Sequence, residues 1–170
     1  MEDKMLAEKP SAMSRDNFLR VYGSVYEHSP WVAETVYDDR DVGNVDTVWT
    51  LYAAMRMAVD MADRGMQLSL MRAHPELAVK TPDMAAASVS EQSSAGLDQC
   101  SSEELAAFKR LNHEYREKFG FPFIVAVKGM TRGEILQVFN QRLQNDYETE
   151  FQNALQQIHK IARFRLEKLT

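Results

Sequence analysis

Residues 101–120 read SSEELAAFKRLNHEYREKFG, and this stretch decides the fold class. Ser101 and Glu104 have the spacing of a capping box, in which each side chain bonds the main-chain N–H of the other residue. Apolar residues then recur every three or four positions, which is the period of a helix with one buried face. Gly120 suits the left-handed conformation in which many helices end. The stretch therefore predicts one amphipathic helix with a marked start and a marked end.

The same helical period recurs on both sides of this stretch. Ser14 is placed to cap an earlier helix, and residues from about 146 to 168 have the period of a long one. Residues 121–127, FPFIVAV, depart from the pattern because they are continuously apolar and contain a proline and β-branched residues. We therefore predict an all-α fold. It is a single-domain helical bundle at 14–168 with one buried extended segment at about 121–127, preceded by a loose polar leader at 1–13.

Composition and charge exclude several classes of protein. The chain has 170 residues, enough for one substantial core. Its net charge of −5 disfavours binding to nucleic acid, and no run of about 18 apolar residues could span a membrane. The single cysteine, Cys100, permits no intrachain disulfide, as is usual in a reducing compartment. We predict a cytoplasmic protein that binds neither nucleic acid nor membrane.

His74 is the first candidate for chemistry. It lies in MRAHPELA at 71–78, where Pro75 ends a helical run. The helix dipole favours a charged histidine at a helix C-terminus, and an imidazole can exchange a proton near neutral pH. The alternative is a histidine that merely stands at a helix end. The neighbouring Glu76 is expected to face solvent, which makes it a poor partner for His74.

The block SVSEQ at 88–92 has two interpretations. Ser88 and Glu91 have capping-box spacing and could simply start a helix. Together with Gln92, they could instead supply hydrogen-bonding groups to a polar, amide-rich ligand.

Arg165 presents a similar choice. It lies on the apolar face of the last predicted helix, seven residues after Ile158 and four before Leu169. A buried guanidinium needs a partner, so Arg165 could form an internal ion pair or extend its charged end into solvent. Its functional interpretation is a fork that binds a small acidic ligand.

Four blocks of this sequence together resemble the OHCU decarboxylase family, the 2-oxo-4-hydroxy-4-carboxy-5-ureidoimidazoline decarboxylases of urate breakdown. The resemblance runs from about Asn17 to Leu166. It implies an all-helical, cofactor-free lyase, usually a homodimer, that converts the small molecule OHCU to (S)-allantoin. The four blocks are AHPEL at 73–77, SVSEQSSAGL at 88–97, RLNHEYREKFGFPFIVAVKG at 110–129 and KIARFRL at 160–166.

The resemblance also implies the site residues. His74 matches the catalytic histidine of the family, and Glu91 matches its active-site glutamate. Two positions depart from the family pattern: Val79 stands where many relatives have glycine, and Phe164 replaces the usual leucine before the arginine. The implied substrate-binding residues are Pro75, Ser88, Gln92, Ile124, Val125 and Arg165.

Two other functions remain open on the sequence. A non-catalytic helical module that binds a protein partner would have an exposed apolar helix face. A hydrolase of the ureido bond in the same pathway would need an activated water, normally on a metal. The four histidines are scattered along the chain, and HEYRE at 113–117 lacks the second histidine of the zinc-protease pattern HExxH. We therefore expect neither a metal nor an organic cofactor.

Overall fold

The computed structural model describes residues 2–39 and 44–170. In this part of the chain there are eight α-helices, one three-residue 3-10 helix and no β-strand, so the predicted all-α fold is confirmed. The α-helices are α1 (Arg15–Tyr22), α2 (Trp31–Asp39), α3 (Val48–Asp60), α4 (Arg64–Arg72), α5 (Ala86–Ser94), α6 (Ser102–Phe119), α7 (Arg132–Leu143) and α8 (Tyr147–Glu167).

The chain divides into two compact units. The first unit comprises the residues up to Ala73 together with His159–Thr170, and the second unit comprises His74–Ile158. Helices α1 to α4 therefore belong to the first unit and α5 to α7 to the second, while α8 contributes to both. The prediction that residues 14–168 form one domain stays a prediction.

The core of the first unit is built from the apolar faces of its helices. Ser14 caps α1 as predicted, because its side chain accepts a hydrogen bond from the main-chain N–H of Asn17. The side chains with no exposed surface in this core are Phe18, Leu51, Met55, Val59, Leu70, Met71 and Leu166.

The described part of the leader, residues 2–13, packs against the rest of the first unit, so the prediction that it is loose is wrong. Leu6 is only 2% exposed, and its N–H donates to the carbonyl of Asp46 at 2.9 Å. A carboxylate oxygen of Asp3 accepts from the N–H of Trp49, in the first turn of α3, at 3.0 Å. The prediction rested on the polar composition of the leader. Its conformation is determined by one buried leucine and by a carboxylate that bonds a helix N-terminus.

In the second unit, α6 has both predicted ends. The Ser101 hydroxyl accepts from the N–H of Glu104 at 3.1 Å, and the Glu104 carboxylate accepts from the N–H of Ser101 at 3.0 Å. Gly120 follows the helix at φ 75°, in the left-handed region. The capping box and the terminal glycine were sufficient to locate this helix because both act locally.

The segment FPFIVAV is buried and non-helical, as predicted. The ring of Phe123 stacks on that of Phe139 from α7, with centroids 3.9 Å apart and an interplanar angle of 13°. The ring of Tyr115 from α6 meets Phe123 edge-on at 5.5 Å. These aromatic contacts hold the segment between α6 and α7.

Candidate active site

Helix α5 carries the SVSEQ block on one face. The helix begins at Ala86, and its N-cap Ala85 makes no side-chain cap bond. The capping-box interpretation is therefore wrong, because Ser88 lies inside the helix. Ser88, Glu91 and Gln92 are three and four residues apart and so share one side of α5. Ser88 and Gln92 are buried, and Glu91 is partly exposed.

Gln92 holds the segment HPELA at 74–78, which we call the His74 loop. Its Oε1 atom accepts from the N–H of Ala78 at 3.0 Å, and its Nε2 atom donates to the carbonyl of Glu76 at 3.3 Å. Both ends of this predicted substrate-binding amide thus bond the main chain of the loop. Gln92 therefore links α5 directly to the loop that contains His74 and Pro75.

His74 is buried, with 8% of its surface exposed. It stands two residues beyond α4, which ends at Arg72 with Ala73 as its C-cap. Glu76 does not face open solvent as expected, because its carboxylate forms an ion pair with Arg116 of α6 and its side chain is only 21% exposed. A carboxylate two residues from His74 is therefore already paired.

A second polar side chain bonds the His74 loop. Asn112 of α6 is 3% exposed, and its Nδ2 atom donates to the carbonyl of Leu77 at 2.9 Å. Asn112 is not among the site residues predicted from the sequence. Its burial could have been predicted, because Asn112 is four residues after Phe108 and three before Tyr115, on the apolar face of α6.

The main chain of FPFIV is fixed by two side chains. Arg142 of α7 donates from Nη1 to the carbonyl of Ile124, and Gln157 of α8 accepts from the N–H of Ala126 at 2.9 Å. The Ile124 carbonyl is therefore held in place by a charged donor from α7. The predicted contact residue Val125 lies between these two anchored groups.

Arg142 is itself held by a buried carboxylate. Glu150 of α8 has no exposed side-chain surface and accepts from Nη2 of Arg142 at 2.9 Å and from the hydroxyl of Tyr115. Burial alone would raise the pKa of Glu150, but hydrogen bonds from Arg142, Tyr115 and two asparagines outweigh it and lower that pKa. Glu150 is thus kept ionised and fixes the guanidinium that holds Ile124.

Arg165 lies in the first unit and is 7% exposed. Its Nη2 atom bonds a carboxylate oxygen of Glu27 at 2.7 Å, and its Nη1 atom donates to the carbonyl of Val25 at 3.2 Å. The internal ion pair that the sequence allowed is therefore present, and its carboxylate, Glu27, was not identified from the sequence. The role of Arg165 in substrate binding stays a prediction.

His159, in the first unit, is the second buried histidine of the described residues. Its Nε2 atom lies 3.1 Å from a carboxylate oxygen of Asp60, and its Nδ1 atom lies 2.8 Å from the hydroxyl of Tyr26. A carboxylate can only accept, so Nε2 carries the hydrogen and Nδ1 accepts from Tyr26. Burial lowers the pKa of His159 despite the opposing effect of Asp60.

The described residues contain neither a metal-binding cluster nor a helix that could cross a membrane. Across residues 2–39 and 44–170, no three His, Cys, Asp or Glu side chains converge closely enough to hold a metal ion. None of the helices in these residues combines the length and hydropathy needed to cross a membrane.

Comparison with known sequences identifies a family. A family model described as OHCU decarboxylase matches residues 11–167, a range that contains every predicted site residue. The chain is similar to the 2-oxo-4-hydroxy-4-carboxy-5-ureidoimidazoline decarboxylase of Haloferax volcanii. The two are 42% identical over 163 residues, which make up 96% of this chain and 95% of that protein.

Two solved structures resemble this fold. A crystal structure of (S)-allantoin synthase superposes with a TM-score of 0.76 at 33% identity, covering 92% of this chain. This chain spans about half of that longer chain, 51%. A crystal structure of OHCU decarboxylase in the presence of (S)-allantoin gives a TM-score of 0.61 at 28% identity, covering 72% of this chain and 80% of that chain.

Proposed function

This chain belongs to the OHCU decarboxylase family, and we propose that it converts 2-oxo-4-hydroxy-4-carboxy-5-ureidoimidazoline to (S)-allantoin in urate degradation. The observation that carries the proposal is the family match over residues 11–167, together with 42% identity to a decarboxylase of almost the same length. This match favours a decarboxylase over a ureido-bond hydrolase or a non-catalytic binding module.

The chemistry of the substrate suits a protein that supplies only side chains and main-chain groups. Its C4 carbon carries the carboxylate and a hydroxyl, and the neighbouring C5 carbon carries the ureido group and a C=N bond. When the bond to CO₂ breaks, its electron pair forms a C4=C5 bond and the C=N electrons move to nitrogen, which takes up a proton. A proton then adds to one face of C5 as the C4 hydroxyl loses its own, which gives the C4 carbonyl of allantoin.

We assign the proton transfer at the C4 hydroxyl to His74, with Glu91 as its partner. An imidazole can hold and release this proton near neutral pH, and a carboxylate partner favours its charged form. The burial of His74 supports the assignment, because a proton transfer is best controlled where water is excluded.

We assign recognition of the ring and ureido groups to residues close to the His74 loop and in FPFIV. Ser88 and Gln92 share a face of α5 with Glu91, which supports their assignment to the polar groups of the substrate. The N–H of Ile124 and the main chain of Val125 would contribute further hydrogen bonds, and Pro75 would shape the wall beside His74.

We assign Arg165 to the ureido or ring oxygens, on the resemblance of KIARFRL to the family. Glu27 already balances the charge of the guanidinium, which suits it to donate hydrogen bonds to a neutral oxygen. A tight salt bridge to the departing carboxylate would instead stabilise the bound substrate and slow the loss of CO₂. We also propose, on the resemblance alone, a cytoplasmic homodimer that binds no nucleic acid.

The experiment that tests the function follows the handedness of the product. Urate is converted in the presence of uricase and hydroxyisourate hydrolase, and circular dichroism records allantoin formation with and without this protein. Rapid appearance of the (S) enantiomer is expected. Slow formation of racemic allantoin at the uncatalysed rate would refute the proposed function.

The His74→Ala variant tests the assigned mechanism in the same assay. Removal of the proton-transferring group should lower kcat by about 10²-fold or more, as is usual for a general acid–base. His113→Ala is the matched control, because His113 is exposed on α6. Activity of His74→Ala close to that of His113→Ala would contradict the role of His74.

A further inference from the structure

Three consecutive residues of the His74 loop have main-chain groups bonded to side-chain amides. Gln92 of α5 accepts from the N–H of Ala78 at 3.0 Å and donates to the carbonyl of Glu76 at 3.3 Å. Asn112 of α6 donates to the carbonyl of Leu77 at 2.9 Å. Two neighbouring helices thus hold the main chain that follows His74 and Pro75.

The conformation of Ala78 shows that these bonds impose a shape on the loop. Its φ is 61°, in the left-handed region that residues with a Cβ atom avoid. Such a conformation persists where surrounding interactions over-determine it, and it is enriched at functional sites. Here the bond from the Ala78 N–H to Gln92 and the adjacent bond from Asn112 to Leu77 supply those interactions.

Asn112 is an unusual residue for its position. It is 3% exposed on the apolar face of α6, and its Oδ1 atom accepts no hydrogen bond from any residue that the structure describes. A buried acceptor without a donor disfavours folding. The hydrogen bond that the Asn112 side chain donates to the Leu77 carbonyl is therefore the interaction that accounts for an asparagine at this position.

We propose that Asn112, with Gln92, is a positioning residue for catalysis: the two amides fix residues 76–78 and thereby set the position of the His74 imidazole. Asn112 acts through the loop and does not contact the substrate. Gln92, which we also assign to the polar groups of the substrate, holds the loop through both ends of its amide. The inference rests on the proposed function of His74.

The first test separates catalysis from binding. Asn112→Ala releases the Leu77 carbonyl and removes no side chain that we assign to substrate binding. A misplacement of the catalytic group by about 1 Å can cost about 10²-fold in rate. We therefore expect kcat to fall by at least about tenfold, with KM changed by less than about threefold.

Gln67→Ala is the matched control. Gln67 of α4 also donates from its side-chain amide to a main-chain carbonyl, that of Val59 in α3, at 3.0 Å, but both residues lie in the first unit. Loss of this bond should leave kcat and KM at wild-type values. A kcat for Asn112→Ala within twofold of that for Gln67→Ala would overturn the proposal.

A second variant keeps the test decisive if Asn112→Ala folds poorly. Gln92→Met preserves the approximate volume of the side chain and removes both loop bonds, so kcat should fall as in Asn112→Ala. The double variant should lose little more than the worse single variant, because both residues act through one loop. Independent, multiplicative losses would contradict a shared action on the loop.

Hydrogen exchange of the Ala78 amide provides a readout that needs no activity. Asn112→Ala should accelerate this exchange at least about tenfold, although Asn112 does not bond Ala78 itself, because the loop opens as a unit. Unchanged exchange would overturn the proposal even if kcat fell. Absence of decarboxylation by the wild-type protein would instead refute the proposed function, and the exchange rate would still show whether Asn112 holds the loop.

Discussion

At the scale of single residues, variants of the buried pair Arg165 and Glu27 can distinguish a structural role of Arg165 from a role in substrate binding. The side chains are 7% and 0% exposed, so each needs the other to stay charged inside the protein. Loss of one partner leaves an uncompensated buried charge, whereas replacement of both by apolar groups can be close to neutral. Single and double variants should therefore behave very differently.

Glu27→Leu should lower the free energy of unfolding by about 3–5 kcal/mol, because it leaves the Arg165 guanidinium without its carboxylate. The double variant Glu27→Leu/Arg165→Met should recover most of that loss in a urea unfolding experiment. If Arg165 binds the substrate, the recovered double variant should still show a raised KM. A stable double variant with wild-type KM would show that Arg165 serves only the fold.

The partly exposed pair of Arg163 and Glu167 is the matched control on the same helix. The Nε atom of Arg163 lies 3.2 Å from Oε1 of Glu167, but the two side chains are 36% and 30% exposed. A solvent-exposed pair contributes about 0–1 kcal/mol, so Arg163→Met should change stability little. A loss as large as that of Glu27→Leu would mean that burial does not distinguish the two pairs.

At the scale of elements, the His74 loop stores a conformational cost at Ala78. A left-handed alanine costs about 1–2 kcal/mol, and glycine at the same φ avoids that cost. The greater freedom of glycine in the unfolded chain offsets part of the gain. Ala78→Gly should therefore raise the free energy of unfolding by up to about 1 kcal/mol, measured by urea denaturation.

The same substitution in a regular helix should have the opposite sign. Ala106 is exposed in the middle of α6, so Ala106→Gly should lower the free energy of unfolding by about 1 kcal/mol. Destabilisation by Ala78→Gly as large as that of Ala106→Gly would show that the loop does not store conformational strain.

The elements also show where a sequence reveals structure and where it does not. Helix α6 was predicted at both ends, because Ser101, Glu104 and Gly120 act on their own neighbours. The start of α5 was missed, because its cap Ala85 uses no side chain and the serine with cap spacing lies inside the helix. A helix end that is capped by side chains can be predicted from the sequence, whereas a helix start without a side-chain cap bond cannot.

The sequence was least informative about hydrogen-bond and ion-pair partners that lie far apart along the chain. The rule that a polar residue on an apolar helix face needs a partner selected Arg165, and it applies equally to Asn112, Arg142 and Glu150. The sequence could not supply the partners themselves, since Glu27 is 138 residues from Arg165 and Leu77 is 35 residues from Asn112. The proposed site residues came from the resemblance, and the bonds that orient them came only from the structure.

At the scale of the whole molecule, a buried group with a lowered pKa lies in each unit: His159 in the first and Glu150 in the second. Burial lowers the pKa of His159 from its ordinary value of 6.5. The hydrogen bonds from Arg142 and Tyr115 lower the pKa of Glu150 from its ordinary 4.5, despite an opposing effect of burial. In both cases the unfolded chain binds protons more readily than the folded protein, so stability must fall as the pH falls.

His159 and Glu150 should affect the stability of the protein in different ranges of pH. Below pH 6.5 the unfolded chain gains the proton that folded His159 resists, and below pH 4.5 the same holds for Glu150. Stability should be nearly constant above pH 7 as far as these groups determine it, and should decline in two steps on acidification. Thermal unfolding from pH 8 to pH 3 measures both steps.

His159→Gln isolates the first step. Glutamine can donate to Asp60 and accept from Tyr26 as the neutral histidine does, but it takes up no proton in this range. The variant should lose the decline of Tm between pH 6.5 and pH 5 and keep the decline below pH 4.5. His113→Gln, at an exposed position on α6, should retain both steps. An unchanged slope between pH 6.5 and pH 5 in His159→Gln would contradict the role of His159 and assign the first step to another group.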